Sequence, residues 1–182
     1  MSFSAQDDEG GSGAKEILYS ATGAQSMATT IYNAINSPII NTEGTTTVGY
    51  FANDDAGNQE SPAKTLVVKI DRTPPTVSST SPSNNATGVA ATAKISATFS
   101  ENGSGIYPDS VNVSVVQVKP TGNVPVSGAL SYDESSKKVT FTPSRNLAKG
   151  AYRASVSVWD KVGNAPTDDY TWQFATAGPS KK

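Results

Sequence analysis

The sequence predicts an all-β chain folded as two tandem β-sandwich domains. Charged residues make up only 16% of its 182 residues, and Ser plus Thr roughly a quarter, a composition that suits strands and turns rather than helices rich in Glu, Lys and Leu. Short runs of alternating apolar and polar residues recur between clusters of Gly, Pro, Asn and Asp, as in the half-buried strands of a sandwich. One pair of loop signatures also occurs twice. The first half holds Glu9-Gly10-Gly11-Ser12-Gly13 and Asp54-Asp55-Ala56-Gly57-Asn58; the second holds Glu101-Asn102-Gly103-Ser104-Gly105 and Asp160-Lys161-Val162-Gly163-Asn164. Self-similarity of this kind points to two related modules.

The boundary falls where a β-branched run meets two prolines, at Ile70-Asp71-Arg72-Thr73-Pro74-Pro75-Thr76-Val77. Proline removes a backbone donor and forces extended geometry, so the domains are set at 1–73 and 74–178, with a tail at 179–182. In the first module strands are expected near 2–5, 16–21 and 39–42. Val48, Tyr50 and Ala52 alternate with Gly49, Phe51 and Asn53 in a further strand, and Leu66, Val68 and Ile70 form the inward face of the last one. Met27, Ile31 and Ile35 stand at helical spacing and suggest a short helix within 26–36. In the second module strands are expected at 94–99, with Ile95, Ala97 and Phe99 inward, and at 111–118, 129–132 and 138–142. A longer one has Tyr152, Ala154, Val156 and Val158 on its buried face, and a closing strand carries Tyr170, Trp172 and Phe174. Seven strands fit this module.

Composition removes whole classes of chemistry. The chain has no Cys and no His, so Ser-His-Asp and Cys-His nucleophile systems, imidazole or thiolate zinc sites and disulfides are all excluded. A net charge of -2, from 14 basic and 16 acidic residues, gives no electrostatic footprint for nucleic acid. No apolar run approaches the roughly 18 residues that span a bilayer as a helix, so membrane insertion is not expected. The start, Met1-Ser2-Phe3-Ser4-Ala5-Gln6-Asp7-Asp8-Glu9, does not read as a signal peptide; an exported parent would carry its targeting segment elsewhere.

These residues resemble bacterial immunoglobulin-like (Ig-like) modules found in tandem on secreted and cell-surface proteins. In the first module the resemblance rests on 8–20, Glu43-Gly44-Thr45, Tyr50-Phe51-Ala52, and the closing Val68-Lys69-Ile70-Asp71-Arg72-Thr73-Pro74-Pro75. In the second it rests on Ser81-Pro82, Asn85-Ala86-Thr87-Gly88-Val89, Ile95-Ser96-Ala97-Thr98-Phe99-Ser100-Glu101, Val139-Thr140-Phe141-Thr142-Pro143 and Tyr170-Thr171-Trp172-Gln173-Phe174. It implies two tandem Ig-like β-sandwich domains, the first lacking its first strand, at the cell surface or outside the cell. It further implies neighbouring domains in a larger parent chain, and a role as a stalk, an adhesin repeat or an accessory domain of a polysaccharide-degrading enzyme.

In an Ig-like topology the loops at one tip gather Glu101, Asp109 and Asp160 near Asp71, a candidate calcium site because that hard cation takes six to eight oxygens. The competing account is that Asp160 caps its own turn and Gly163-Asn164 supply positive φ with no metal needed. Asp7, Asp8, Glu9 and Asp54 repeat the pattern in the first module. Trp159, turned outward by the alternation that buries Val158, is a candidate platform for sugar rings with Tyr107 and Tyr170; alternatively it covers the end of the sandwich. Glu101 and Asp160 are the one carboxylate pair available for hydrolysis, and small Ig-like modules offer no cleft around such a pair, so catalysis is not expected. The expected role is a non-catalytic spacer or adhesion module, with a carbohydrate-binding accessory module and a calcium-rigidified repeat as the alternatives. Its partners would be a polysaccharide or another surface protein.

Overall fold

The computed structural model describes residues 1–177; the end of the second domain at 178 and the tail at 179–182 lie outside the described residues. The chain is all-β and divides into two compact units, Met1–Arg72 and Thr73–Lys182.

The first unit contains β1 (Ala14–Gly23), β2 (Met27–Ile31), β3 (Gly44–Asp54) and β4 (Lys64–Ile70), joined in one antiparallel sheet of order β2-β1-β3-β4. Pairing of β1 with β3 sets Tyr19 opposite Tyr50 and Ala21 opposite Val48, and Tyr19, Ala21 and Val48 are its buried apolar residues. Phe3 stacks on Tyr50 at 4.5 Å and meets Tyr32 edge-on at 5.2 Å. A facing second sheet is absent from this unit, so the sandwich expected of the first module is replaced by one sheet covered with irregular chain. The segments 2–5 and 39–42 are not strands. Each contributes an apolar side chain, Phe3 or Ile40, packed against the core.

The helix expected within 26–36 is also absent. Met27–Ile31 pairs with β1 as β2, in keeping with its β-branched Thr29-Thr30-Ile31. The chain then stops at Asn33, whose side-chain oxygen accepts the N–H groups of Ile35 and Asn36 at 2.9 and 2.8 Å. That local bond offers the backbone a turn in place of a helix.

Among the described residues the second unit has nine strands: β5 (Thr76–Ser81), β6 (Ala86–Val89), β7 (Ile95–Ser100), β8 (Asn112–Val118), β9 (Val124–Pro125), β10 (Gly128–Asp133), β11 (Lys138–Pro143), β12 (Gly150–Ser157) and β13 (Tyr170–Thr176). They form two sheets, β10-β11-β7-β5 and β6-β13-β12-β8-β9. The sequence places no strand at β5, β6 or β9. β6 runs parallel to β13, and the other pairings are antiparallel. Ile95, Ala97, Phe99, Val139 and Phe141 from one sheet and Val113, Val115, Tyr152, Ala154, Val156, Trp172 and Phe174 from the other are buried in a single core. This is the interdigitation of two inner faces that defines a sandwich. Tyr152 stacks on its cross-strand partner Phe174 at 5.4 Å.

Candidate functional site

Beyond β12 the alternation runs on: Val158 is 4% exposed, Trp159 46% and Asp160 1%. Asp160 faces inward and bridges Ile106 in antiparallel fashion, so Tyr107 stands opposite Trp159. The main-chain N–H of Tyr107 donates to the Trp159 carbonyl at 3.1 Å. Side chains of directly opposed residues project from the same face of a strand pair, and Tyr107, like Trp159, is exposed.

The buried Ser110 fixes this pair. Its hydroxyl accepts the Trp159 N–H at 3.0 Å and lies 2.7 Å from the Tyr107 carbonyl and 3.1 Å from that of Trp159, either of which can take its proton. Ser110 ends the short 3-10 turn Pro108–Ser110, on which Asp109 is exposed, its carboxylate 3.4 Å from the Tyr107 hydroxyl. Trp159 also lines a cleft of about 170 Å³, together with Pro166, Asp168 and Asp169 among others. Tyr170 lies elsewhere. It pairs with the buried Val156 on β13, shares the face of Trp172 and sits 6.1 Å from that ring.

The loop after Trp159 closes on Asp160. One carboxylate oxygen accepts the N–H groups of Val162 and Asn164 at 3.0 and 2.8 Å, and the other accepts the Asn164 side-chain amide at 2.6 Å. Gly163, at φ +93°, donates its N–H to the Asp160 carbonyl at 3.2 Å, a conformation that favours glycine. The turn-capping geometry is therefore present in full. Of the other acids expected at this tip, Glu101 is buried in the same unit as Asp160, Asp109 is exposed, and Asp71 belongs to the first unit. Glu101 accepts the Gly103 N–H at 2.6 Å, and the Lys137 ammonium donates to its main-chain carbonyl.

Carboxylate oxygens suit a hard cation. The second unit contains neither Met, His nor Cys, so softer ligands are not on offer there. In the first unit the corresponding acids bind main chain. Asp7 accepts the Asp8 and Gly13 N–H groups, and Asp54 accepts the Asn58 main-chain and side-chain N–H groups. The Asn58 bonds hold the Asp54 carboxyl below the ordinary carboxylate range. Asp7 and Asp54, with Glu60 and Lys64, also line a cleft of about 550 Å³ floored by Ile17 and Tyr50. The sequence reading did not single out Ser110, Asp168 or Asp169. Ser110 carries no local signal, because its partner Trp159 is 49 residues away.

The chain belongs to the bacterial Ig-like domain family, whose pattern matches residues 71–176. Asp71, Glu101 and Asp160 all fall within that stretch. No curated protein matches the chain in sequence. Among solved structures it is similar to PcoC, a methionine-rich copper resistance protein from Escherichia coli, at 18% identity over 56% of this chain and 97% of PcoC, with a TM-score of 0.49. It is similar also to CopC from Methylosinus trichosporium OB3b, at 19% identity over 56% of this chain and 92% of CopC, with a TM-score of 0.45.

Proposed function

We propose that this chain is a non-catalytic structural module of an exported bacterial protein, holding neighbouring domains of a larger parent at a fixed reach. The observation that carries this reading is the closure of the second unit. β6, near its beginning, pairs in parallel with β13, at its end. Asn85 donates its main-chain N–H to Gln173 at 2.7 Å, Ala177 donates to Val89 at 3.1 Å, and the Asn84 side chain accepts the Gln173 N–H at 3.0 Å. Tension applied at the two ends draws these strands along each other, so the bonds between them are stressed together instead of one by one. A core filled from both sheets stands behind that clamp. Membership of the bacterial Ig-like family supports an extracytoplasmic setting.

Stretching single molecules of the full chain between its termini tests the reading. The second unit is expected to rupture in one discrete event that releases about 350 Å of chain, at about 3.4 Å per residue. Asn84→Ala is expected to lower the rupture force. Extension with no discrete event would rule the spacer role out.

A further inference from the structure

We propose that the outward face formed by Trp159 and Tyr107, with the adjoining cleft at Pro166, Asp168 and Asp169, binds a neutral polysaccharide. This goes beyond the spacer role: a module can hold neighbours apart with or without gripping a glycan.

The first observation is the exposure of two large aromatic residues at opposed positions of one short strand pair. A paired aromatic patch held out to water is more informative than a scattered apolar residue. The second is that the patch is held rigid from beneath. Ser110 spends its hydrogen-bonding capacity on the main chain of the two aromatic residues, and the bridge of Ile106 to Asp160 anchors the next residue of each strand in the interior. Trp and Tyr have only two χ angles each, so a platform set on a fixed backbone loses little entropy when a ligand lands on it.

The third observation is the chemistry around the rings. The charged groups of the cleft are Asp168 and Asp169, and Asp109 stands beside the Tyr107 hydroxyl. Ionised carboxylates only accept hydrogen bonds, and their two oxygens match adjacent hydroxyls. Aromatic faces receive the C–H face of a pyranose while such carboxylates take its hydroxyl protons. The same negative charges repel uronates and sulfated glycans, so the ligand is an uncharged polymer. A volume of about 170 Å³ is below the usual range for drug-sized ligands, roughly 300–1,000 Å³. It suits one sugar ring seated beside Trp159, with the chain continuing over the open platform.

The test is affinity electrophoresis of the full chain through gels containing hydroxyethyl cellulose, xyloglucan, galactomannan or soluble starch. Polygalacturonate serves as the anionic control, and choline is titrated calorimetrically to test a cation cage instead. At least one neutral polymer should retard the wild type and shift its indole emission to the blue. Trp159→Ala should weaken that interaction at least tenfold, Tyr107→Ala several-fold, and Tyr170→Ala not at all. Near-ultraviolet circular dichroism from the buried Trp172 checks that each variant is folded. The proposal is overturned if no neutral polymer retards the wild type, if Trp159→Ala is retarded equally, if polygalacturonate binds as well, or if choline binds and displaces the polymer. Rupture force is a separate readout, so either idea can fail without the other.

Discussion

Lys161 donates its main-chain N–H to the carbonyl of Gly105 at 2.8 Å. In the first unit Asp55 donates to Gly13 at 3.0 Å, and these are the equivalent positions of the two loop signatures. The Asp-x-x-Gly-Asn loops close alike. Asp54 and Asp160 each donate a main-chain N–H to the Asn four residues on, at 3.0 and 3.1 Å, and each accepts both N–H types of that Asn. Each pair of signatures is thus one docked structure, a Gly-rich turn held to an Asx-capped loop.

Burial separates the two loops energetically. Asp160 is inside the second unit, whereas Asp54 is only half-buried. Asp160→Ala removes the acceptor for two main-chain amides and one side-chain amide, and leaving a buried donor without a partner costs about 1–3 kcal/mol. A loss of about 2–4 kcal/mol is expected in urea unfolding of the second unit. Asp54→Ala should cost measurably less in the first.

The first unit should open before the second. A sheet must bury its apolar face against another layer. In the first unit the buried apolar cluster is limited to Tyr19, Ala21 and Val48, whereas the second buries apolar residues from both of its sheets. Native-state hydrogen exchange is expected to show lower opening free energies for amides of β1 and β3 than for those of β12 and β13. Phe174→Ala, which empties part of the larger core, should cost about 3–5 kcal/mol. Equal protection in the two sheets would contradict this order.

Acid should act on the first unit early. Hydrogen bonds from Asn58 hold the Asp54 carboxyl below its ordinary value, and the Lys64 ammonium, 2.7 Å from Glu60, does the same there. A carboxyl depressed by folding binds fewer protons folded than unfolded. Its stabilisation is therefore complete above the ordinary carboxylate pKa of about 4 and drains away as pH falls through the lower folded value. The midpoint of the first unit should drop as pH falls below about 4, and Asp54→Asn should flatten that drop.

Ser110→Ala isolates the clamp under the aromatic pair. The Trp159 N–H loses its acceptor, and an unsatisfied buried donor costs about 1–3 kcal/mol. Time-resolved fluorescence anisotropy should show a more mobile indole at Trp159, with Trp172 unchanged in its core.

Much of the second unit was legible because its strands obey period two almost without interruption. Tyr152, Ala154, Val156 and Val158 could be assigned inward from spacing alone, and Trp159 outward by the same count. The first unit was harder. Phe3 and Ile40 are core residues held on irregular chain, and no periodicity announces a loop that folds over a sheet. Met27, Ile31 and Ile35 fit a helix by spacing, but the Asn33 turn and β-branched propensity outweigh that pattern. Of the acidic residues, Glu101 and Asp160 are buried in the second unit, whereas Asp109 is carried outward on its own 3-10 turn. The contribution of Asp168 and Asp169 depends on how their loop returns past Trp159, which no local motif encodes.

The alternation that ends on Trp159 has no half-steps. Removing or adding one residue between Gly150 and Val158 would turn the indole into the interior and push an aspartate-bearing loop the wrong way round. Natural variants of this module should therefore change length in their hairpin loops, or by even numbers within this strand, and odd-length indels there should be missing from any collection of functional sequences.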